Sequence, residues 1–269
     1  MTAIRRASQA RLRVLRHEPL SPAANMAIDD ALLEAPDRPQ DYTVRFYRWL
    51  RPTVSLGYGQ SWRSGYVPEI ARRCGMLIVR RRTGGRAVLH AGELTYAVVG
   101  DADEGPLAGG IQATYLAIAE GLVAGLGSLG IRAEIVRNRG RRGRAEPGAC
   151  FASRAMNELV AGGRKLVGSA QRRAGGRALQ HGSILLERPD PDVWRVLGSS
   201  GPAAAADSIG LFELLGSRPG LRRLSGVLAA GLGRRLHVPV VDGTLTGREI
   251  REARSRAARY ADLSFTRRR

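Results

Sequence analysis

The stretch that most limits what this chain can fold into runs over residues 150–186, CFASRAMNELVAGGRKLVGSAQRRAGGRALQHGSILL. Two short apolar runs meet there at Gly162-Gly163, and paired glycines between such runs close a β-hairpin because the turn needs positive φ. On the returning strand a period of two sets Lys165, Val167, Ser169 and Gln171 on one face, and Leu166, Gly168 and Ala170 on the other. The Lys165 face reads as the wall of a pocket. A further strand over 178–187 carries His181 and Ser183.

Lys165 is the only lysine among 43 basic residues. Where arginine serves every other need for positive charge, a surviving ammonium points to its compact rotatable donors or its tunable pKa. The bland reading is a solvated strand lysine. Cys150 follows a Gly- and Arg-rich loop over 137–148, an electropositive setting of the kind that lowers a thiol pKa and favours the nucleophilic thiolate. Such a thiolate can hold an acyl group as a thioester and divide acyl transfer into two easier steps. A small buried hydrophobe is the other reading, and the residues alone leave both open.

A chain of 269 residues suffices for one large domain, or for one domain with a small appendage. With 43% hydrophobic and 25% charged residues it is expected to be globular. The basic N-terminal stretch lacks the continuous apolar core of a secretory signal, and no run approaches a membrane span. Two cysteines make no disulfide framework and no zinc-ligand spacing occurs, so no metal and a reducing cytoplasm are expected. The net charge of +19 fits an acidic protein partner or a composition-wide bias. Scattered arginines and only 5% aromatic residues argue against a nucleic-acid partner.

Taken in order, residues 1–18 read as a weakly specified arm with an edge strand near Arg11 to Leu15. A helix follows, capped by Ser21 or Asn25, with Met26, Ile28, Ala31 and Leu32 towards the core and Asp29 and Asp30 in its early turns. TVRFYRWL and TVSLGYGQ read as two strands, the second ending in a glycine turn over 57–60. A short helix over 67–73 leads past Cys74, read as a structural thiol, to a strand over 76–80. Gly84-Gly85 then turns the chain between two apolar runs expected to pair as a hairpin, exposing backbone N–H groups suited to an acidic ligand end. A plain arginine-decorated hairpin is the alternative, and His90 is equally open between a hydrogen-bonding and a catalytic role. Beyond it come a helix over 111–129, a strand at IRAEIV, and the loop before Cys150. After the strands come a short helix over 193–197, a low-complexity GPAAAAD loop and a helix over 221–235. A last helix opens with a capping box at Thr246 and Glu249, and the tail TRRR is expected to fray.

RRTGGRAVLH over 81–90, ELTYAV after it, and GRKLVGSAQRR with LQHGSILL over 163–186 closely resemble the biotin/lipoate A/B protein ligase superfamily. NMAIDDALL and the LGYGQ turn fit as well, so the resemblance covers most of the chain. CFASRAMNELV is similar to the octanoyltransferases with a cysteine nucleophile. The ligases instead carry an Asn-Asp pair where Met156-Asn157-Glu158 stands, and often an Asp where Ala91 stands.

The resemblance implies an α/β (α+β) fold: a ligase-like catalytic domain with a mixed β-sheet flanked by helices. It implies an arm over 1–19, a catalytic domain over 20–215 and a C-terminal helical segment over 216–269 packed on that domain. Cys150 would take an octanoyl group from octanoyl-acyl carrier protein and pass it to a lysine of a lipoyl domain, the glycine-cleavage H protein or an E2 subunit. Lys165 would face the acyl carbonyl. Arg81, Thr83, Gly84, Gly85, Arg86, His90, Gly168, Ser169, Gln171 and His181 would bind the acyl substrate. This reaction needs no cofactor, and a cytoplasmic monomer is expected. The alternatives are a lipoate-protein ligase using ATP and Mg, or an octanoyl amidotransferase between lipoyl domains.

Overall fold

The computed structural model describes residues 10–34, 41–136, 158–198 and 200–268. Its first half contains β1 (Leu12–Arg16), α1 (Pro22–Glu34), β2 (Tyr42–Tyr47), β3 (Thr53–Leu56), α2 (Pro68–Arg73), β4 (Leu77–Arg80), β5 (Val88–His90), β6 (Glu93–Asp101) and α3 (Gly110–Gly127). Then follow β7 (Ala133–Ile135), β8 (Leu159–Ala161), β9 (Arg164–Ala174) and β10 (Arg177–Leu185). Short helices α4 (Pro191–Trp194), α5 (Ser200–Ala206) and α6 (Leu211–Leu215) lead to α7 (Leu221–Leu236), β11 (Val240–Asp242), α8 (Gly247–Ala261) and α9 (Leu263–Arg267).

Alternation along the long strands gives the main sheet two buried faces. Among the described residues it has eight strands in the order β11-β1-β2-β6-β10-β9-β8-β7, parallel at β11-β1-β2 and antiparallel elsewhere. Val44, Phe46, Tyr96 and Val98 point to one face, where Ile118 and Leu122 of α3 and Leu224 and Leu228 of α7 cover them. Tyr47, Ala97, Val99 and Leu179 point to the other, under Ile28 and Leu32 of α1 and Ala253 of α8. A second sheet of three strands, β4-β3-β5, has its own core of Val54, Leu56, Leu89, Trp194 and Val196. Each fully buried Leu or Val contributes about 1.5–3 kcal/mol relative to exposure, so both cores are substantial.

Several expectations change. β1 is not an edge strand, because β11 adds outside it, and Leu12 is fully buried in the main core. The runs flanking Gly84-Gly85 do not pair with each other; β4 and β5 each pair with β3, which lies between them. Asp29 and Asp30 lie past the first turn of α1, which has no acidic residue, and both are buried. Asn25 sits inside α1, and it is Ser21 Oγ that accepts from the Ala24 amide at 3.3 Å. Cys74 is exposed at the end of α2. The GPAAAAD segment forms α5, with Ala204 in the smaller core. The described part of the tail begins docked rather than frayed: Thr266 is buried and its carbonyl accepts from Arg80 Nε at 3.0 Å, while Arg267 and Arg268 are exposed and Arg269 lies outside the described residues. The capping box at Thr246 and Glu249 is present. Among the described residues, no helix is long and apolar enough to cross a membrane.

Candidate active site

The glycine loop after β4 is held by Arg81. Its guanidinium donates through Nε to Thr83 Oγ1 (3.1 Å), through Nη1 to the Ser55 carbonyl (2.7 Å), and through Nη2 to the Gly84 and Arg86 carbonyls (2.8 and 2.6 Å). Five N–H groups in a rigid fork suit this clamp, which a lysine could not reproduce. Arg81, expected to bind the acyl substrate, thus has its guanidinium engaged in shaping the loop while it also borders the cleft. Gly85 has a φ of 90°, and its carbonyl would lie 1.9 Å from a Cβ at Gly57, so the LGYGQ turn and the loop pack backbone to backbone. Gly84 has open space around it.

Two histidines extend this clamp on either side. His181 Nε2 lies 2.6 Å from Thr83 Oγ1 and its Nδ1 3.2 Å from Asp29 Oδ2. His90 Nε2 lies 2.8 Å from Ser55 Oγ and its Nδ1 2.7 Å from Glu93 Oε1. Each carboxylate can only accept, which assigns the proton to Nδ1 in both rings and lets each hydroxyl donate to Nε2 while accepting from Arg81. Burial holds the His90 pKa below its ordinary value, against the pull of Glu93. Burial pushes Asp29 up, but the Arg45 guanidinium at 2.8 Å and the bonds from His181 and Tyr47 leave its carboxyl below the ordinary range. Asp29 thus anchors the cluster as an anion.

A cleft with about 410 Å³ of empty space lies between the two sheets, beside this network. Met26, Tyr47, Trp49, Val88 and Ala170 give it a largely apolar surface, with Arg81, His90, His181 and Ser183 among its polar groups. Trp49 stacks on His90 with ring centroids 4.1 Å apart and donates to Thr95 Oγ1 at 2.9 Å. Here the sequence reading of β9 needs correction. Gly168 and Ala170 supply cleft wall, because a hydrogen and a methyl group leave room; Val167, on the Lys165 face, packs in the larger core. Ser169 borders the cleft, but its hydroxyl lies 2.7 Å from Tyr96 OH. Gln171 bonds to Gln180 at 3.2 Å and lines no part of the cleft.

Lys165 is almost fully buried and ion-pairs with the Glu158 carboxylate. Its amide donates to the Asp207 carbonyl at 2.7 Å, and its carbonyl accepts from Ile209 N at 3.0 Å. It stands three residues before Gly168, about 10 Å away by strand rise. Cys150, Met156, Asn157 and the loop over 137–148 lie outside the described residues. Among the described residues, no group of His, Cys, Asp and Glu could hold a metal ion. Sequence reading missed Glu158, Asp29, Arg45, Glu93 and Trp49 as parts of this site. An acidic residue on the apolar side of α1 was the available signal for Asp29.

The site is a glycine loop beside a slim, largely apolar cleft on an α+β scaffold; Arg81 of the loop reaches the cleft, while Gly84, Gly85 and Arg86 are not among its lining residues. The chain belongs to the lipoyl protein ligase A/B catalytic domain family, whose profile matches residues 21–204. It is 40% identical to the octanoyltransferase LipM of Moorella thermoacetica over 258 residues, covering 92% of this chain and 94% of that protein. Another LipM, from Clostridioides difficile, is 32% identical and covers 96% of this chain and 98% of its own. By this kinship the protein is an acyltransferase enzyme. The fold is also that of a lipoate-protein ligase A solved with ATP, with a TM-score of 0.80 at 23% identity, covering 96% of this chain and 98% of that one. Protein Ta0514 of T. acidophilum, solved with bound lipoic acid, gives a TM-score of 0.79 at 22% identity, covering 97% and 100%.

Proposed function

We propose that the protein transfers an octanoyl group from octanoyl-acyl carrier protein to a specific lysine of a lipoyl domain, through a thioester on Cys150. The observation that carries this reading is the near full-length kinship to octanoyltransferases at 40% identity. The Cys150 thiolate attacks the donor's thioester carbonyl, the new C–S bond forms, and the carrier's thiolate leaves and takes up a proton. The acceptor's ε-amine then attacks the acyl-enzyme; an amide forms and the Cys150 thiol is released. Lys165 is the donor for the carbonyl oxygen as negative charge develops there, and its ion pair with Glu158 holds the ammonium in place. The slim cleft holds the acyl chain.

Because the donor is already a thioester, this reaction requires neither ATP nor Mg. A glycine-cleavage H protein or an E2 lipoyl domain is the acceptor, the setting is the cytoplasm and the enzyme acts as a monomer. The test is intact-protein mass spectrometry after mixing the enzyme with octanoyl-acyl carrier protein without ATP. One octanoyl group mapped to Cys150 and discharged by an apo lipoyl domain is expected, and Cys150→Ala should give none. Modification of the lipoyl domain only when ATP and free acid are supplied would make the protein a ligase instead.

A further inference from the structure

The cleft crosses the main sheet. Its walls come in turn from Gly168 and Ala170 of β9, His181 and Ser183 of β10, Thr95 of β6 and Tyr47 of β2, with Met26 and Trp49 at the far side. Four adjacent strands at roughly 4.8 Å spacing span about 14 Å. An extended eight-carbon chain spans about 10 Å, at roughly 1.25 Å per carbon from a C–C bond of about 1.5 Å. If the thioester lies by Lys165, as in the function proposed above, on which this inference rests, the chain enters from β9. Its methyl end then points at Tyr47, Trp49 and Met26.

These three side chains differ in how they are held. The Tyr47 hydroxyl donates to Asp29 Oδ2 at 2.8 Å, and Trp49 is fixed by Thr95 and His90. Met26 is held by apolar packing with Ala27, Val79 and Tyr260, and its unbranched thioether adapts to the space it is given. Ala23, Val79 and Tyr260 also line a second hollow, largely apolar and open to solvent, on the outer side between α1, α2 and α9. The side chains packed around Met26 therefore lie between the acyl cleft and this outer hollow, and Met26 is their cleft-facing member.

We infer that Met26 is the end stop of the acyl cleft and sets the longest chain the enzyme accepts. The outer hollow is latent room for longer chains. The test uses the full chain and its Met26→Ala and Met26→Phe variants, each given an equimolar mixture of octanoyl, decanoyl and dodecanoyl carrier-protein thioesters, with adducts counted by intact mass. Each further methylene kept out of water contributes a factor of about four, so four partly covered methylenes should raise the dodecanoyl-to-octanoyl ratio about tenfold in Met26→Ala. Met26→Phe should lower the decanoyl-to-octanoyl ratio. Unchanged ratios in both variants, with unfolding temperatures near that of the unaltered protein, would overturn the inference.

An unaltered protein that forms no adduct would refute the transferase reading alone. The inference is then read from calorimetric binding of octanoate and dodecanoate, where the same shift in relative affinity is expected and its absence overturns it. Should Met26→Ala fail to fold, Met26→Val and Met26→Phe decide by the same ratios.

Discussion

Lys165 shows at the scale of one residue why charge alone does not specify a side chain. Its ion pair with Glu158 is desolvated, with the two side chains 1% and 4% exposed. Removing either partner would leave an uncompensated buried charge, at a cost of about 3–5 kcal/mol. Lys165→Arg keeps the charge but puts a planar fork where a compact ammonium fits. It should slow acyl-adduct formation on the order of a hundredfold, the scale of losing one oxyanion donor, while circular dichroism shows the fold retained. Unchanged rates would remove Lys165 from the chemistry. His17 supports a second prediction. Burial first, and the Arg45 guanidinium second, lower its pKa from 6.5 to about 4, and its Nδ1 accepts from Arg45 Nε at 3.0 Å. The unfolded chain therefore binds this proton more readily than the folded protein. Its contribution to stability is complete above about pH 6.5, declines as the pH falls, and stops changing below about pH 4. Urea unfolding at steps between those values should show a shallower decline for His17→Asn, whose amide oxygen can still accept from Arg45.

Among the elements, α3 and α7 depend on glycine for a reason of packing. A Cβ at Gly231 of α7 would lie 2.3 Å from the Gly121 carbonyl oxygen and 2.8 Å from Gly125 Cα, both in α3. Gly231→Ala should therefore wedge the helices apart and cost about 1–3 kcal/mol, read by thermal unfolding. Adduct formation at a permissive temperature should stay near normal, since neither helix lines the cleft. Helix α9 is joined to the catalytic side through Arg80, which donates to the Thr266 carbonyl at 3.0 Å and to the Gly57 and Gln60 carbonyls at 2.7 and 2.6 Å. The last turn of the described chain thus supports the turn that packs on the glycine loop. Nothing in TRRR announced this, because the contact is made by a backbone carbonyl that every residue carries.

For the whole molecule, a net charge of +19 is a long-range field. It acts on any acidic carrier or lipoyl domain before contact, and salt shortens its reach from about 10 Å at 0.1 M to about 3 Å at 1 M. The kcat/KM for octanoyl-carrier protein should accordingly fall on the order of tenfold across that range. The value for uncharged octanoyl-pantetheine should hardly change. Equal salt sensitivity for both donors would show that the charge is a compositional bias with no part in the encounter.

The local features were legible in the residues. Paired glycines placed the β8–β9 turn, alternation placed β9 and β10, the Thr246 and Glu249 pair opened α8, and RRTGGRAVLH marked the loop. Each depends on steric or capping rules acting over a few positions. What lies opposite each element was decided only by the tertiary structure. Over Lys165–Gly168 β9 is buried on both faces, so alternation sorts its residues into two sets without telling which set meets the cleft. Asp29 meets His181, 152 positions away, and β3 enters between β4 and β5. Such pairings are set by how whole layers bury their faces, a balance of packing and desolvation over the entire chain that no local pattern records.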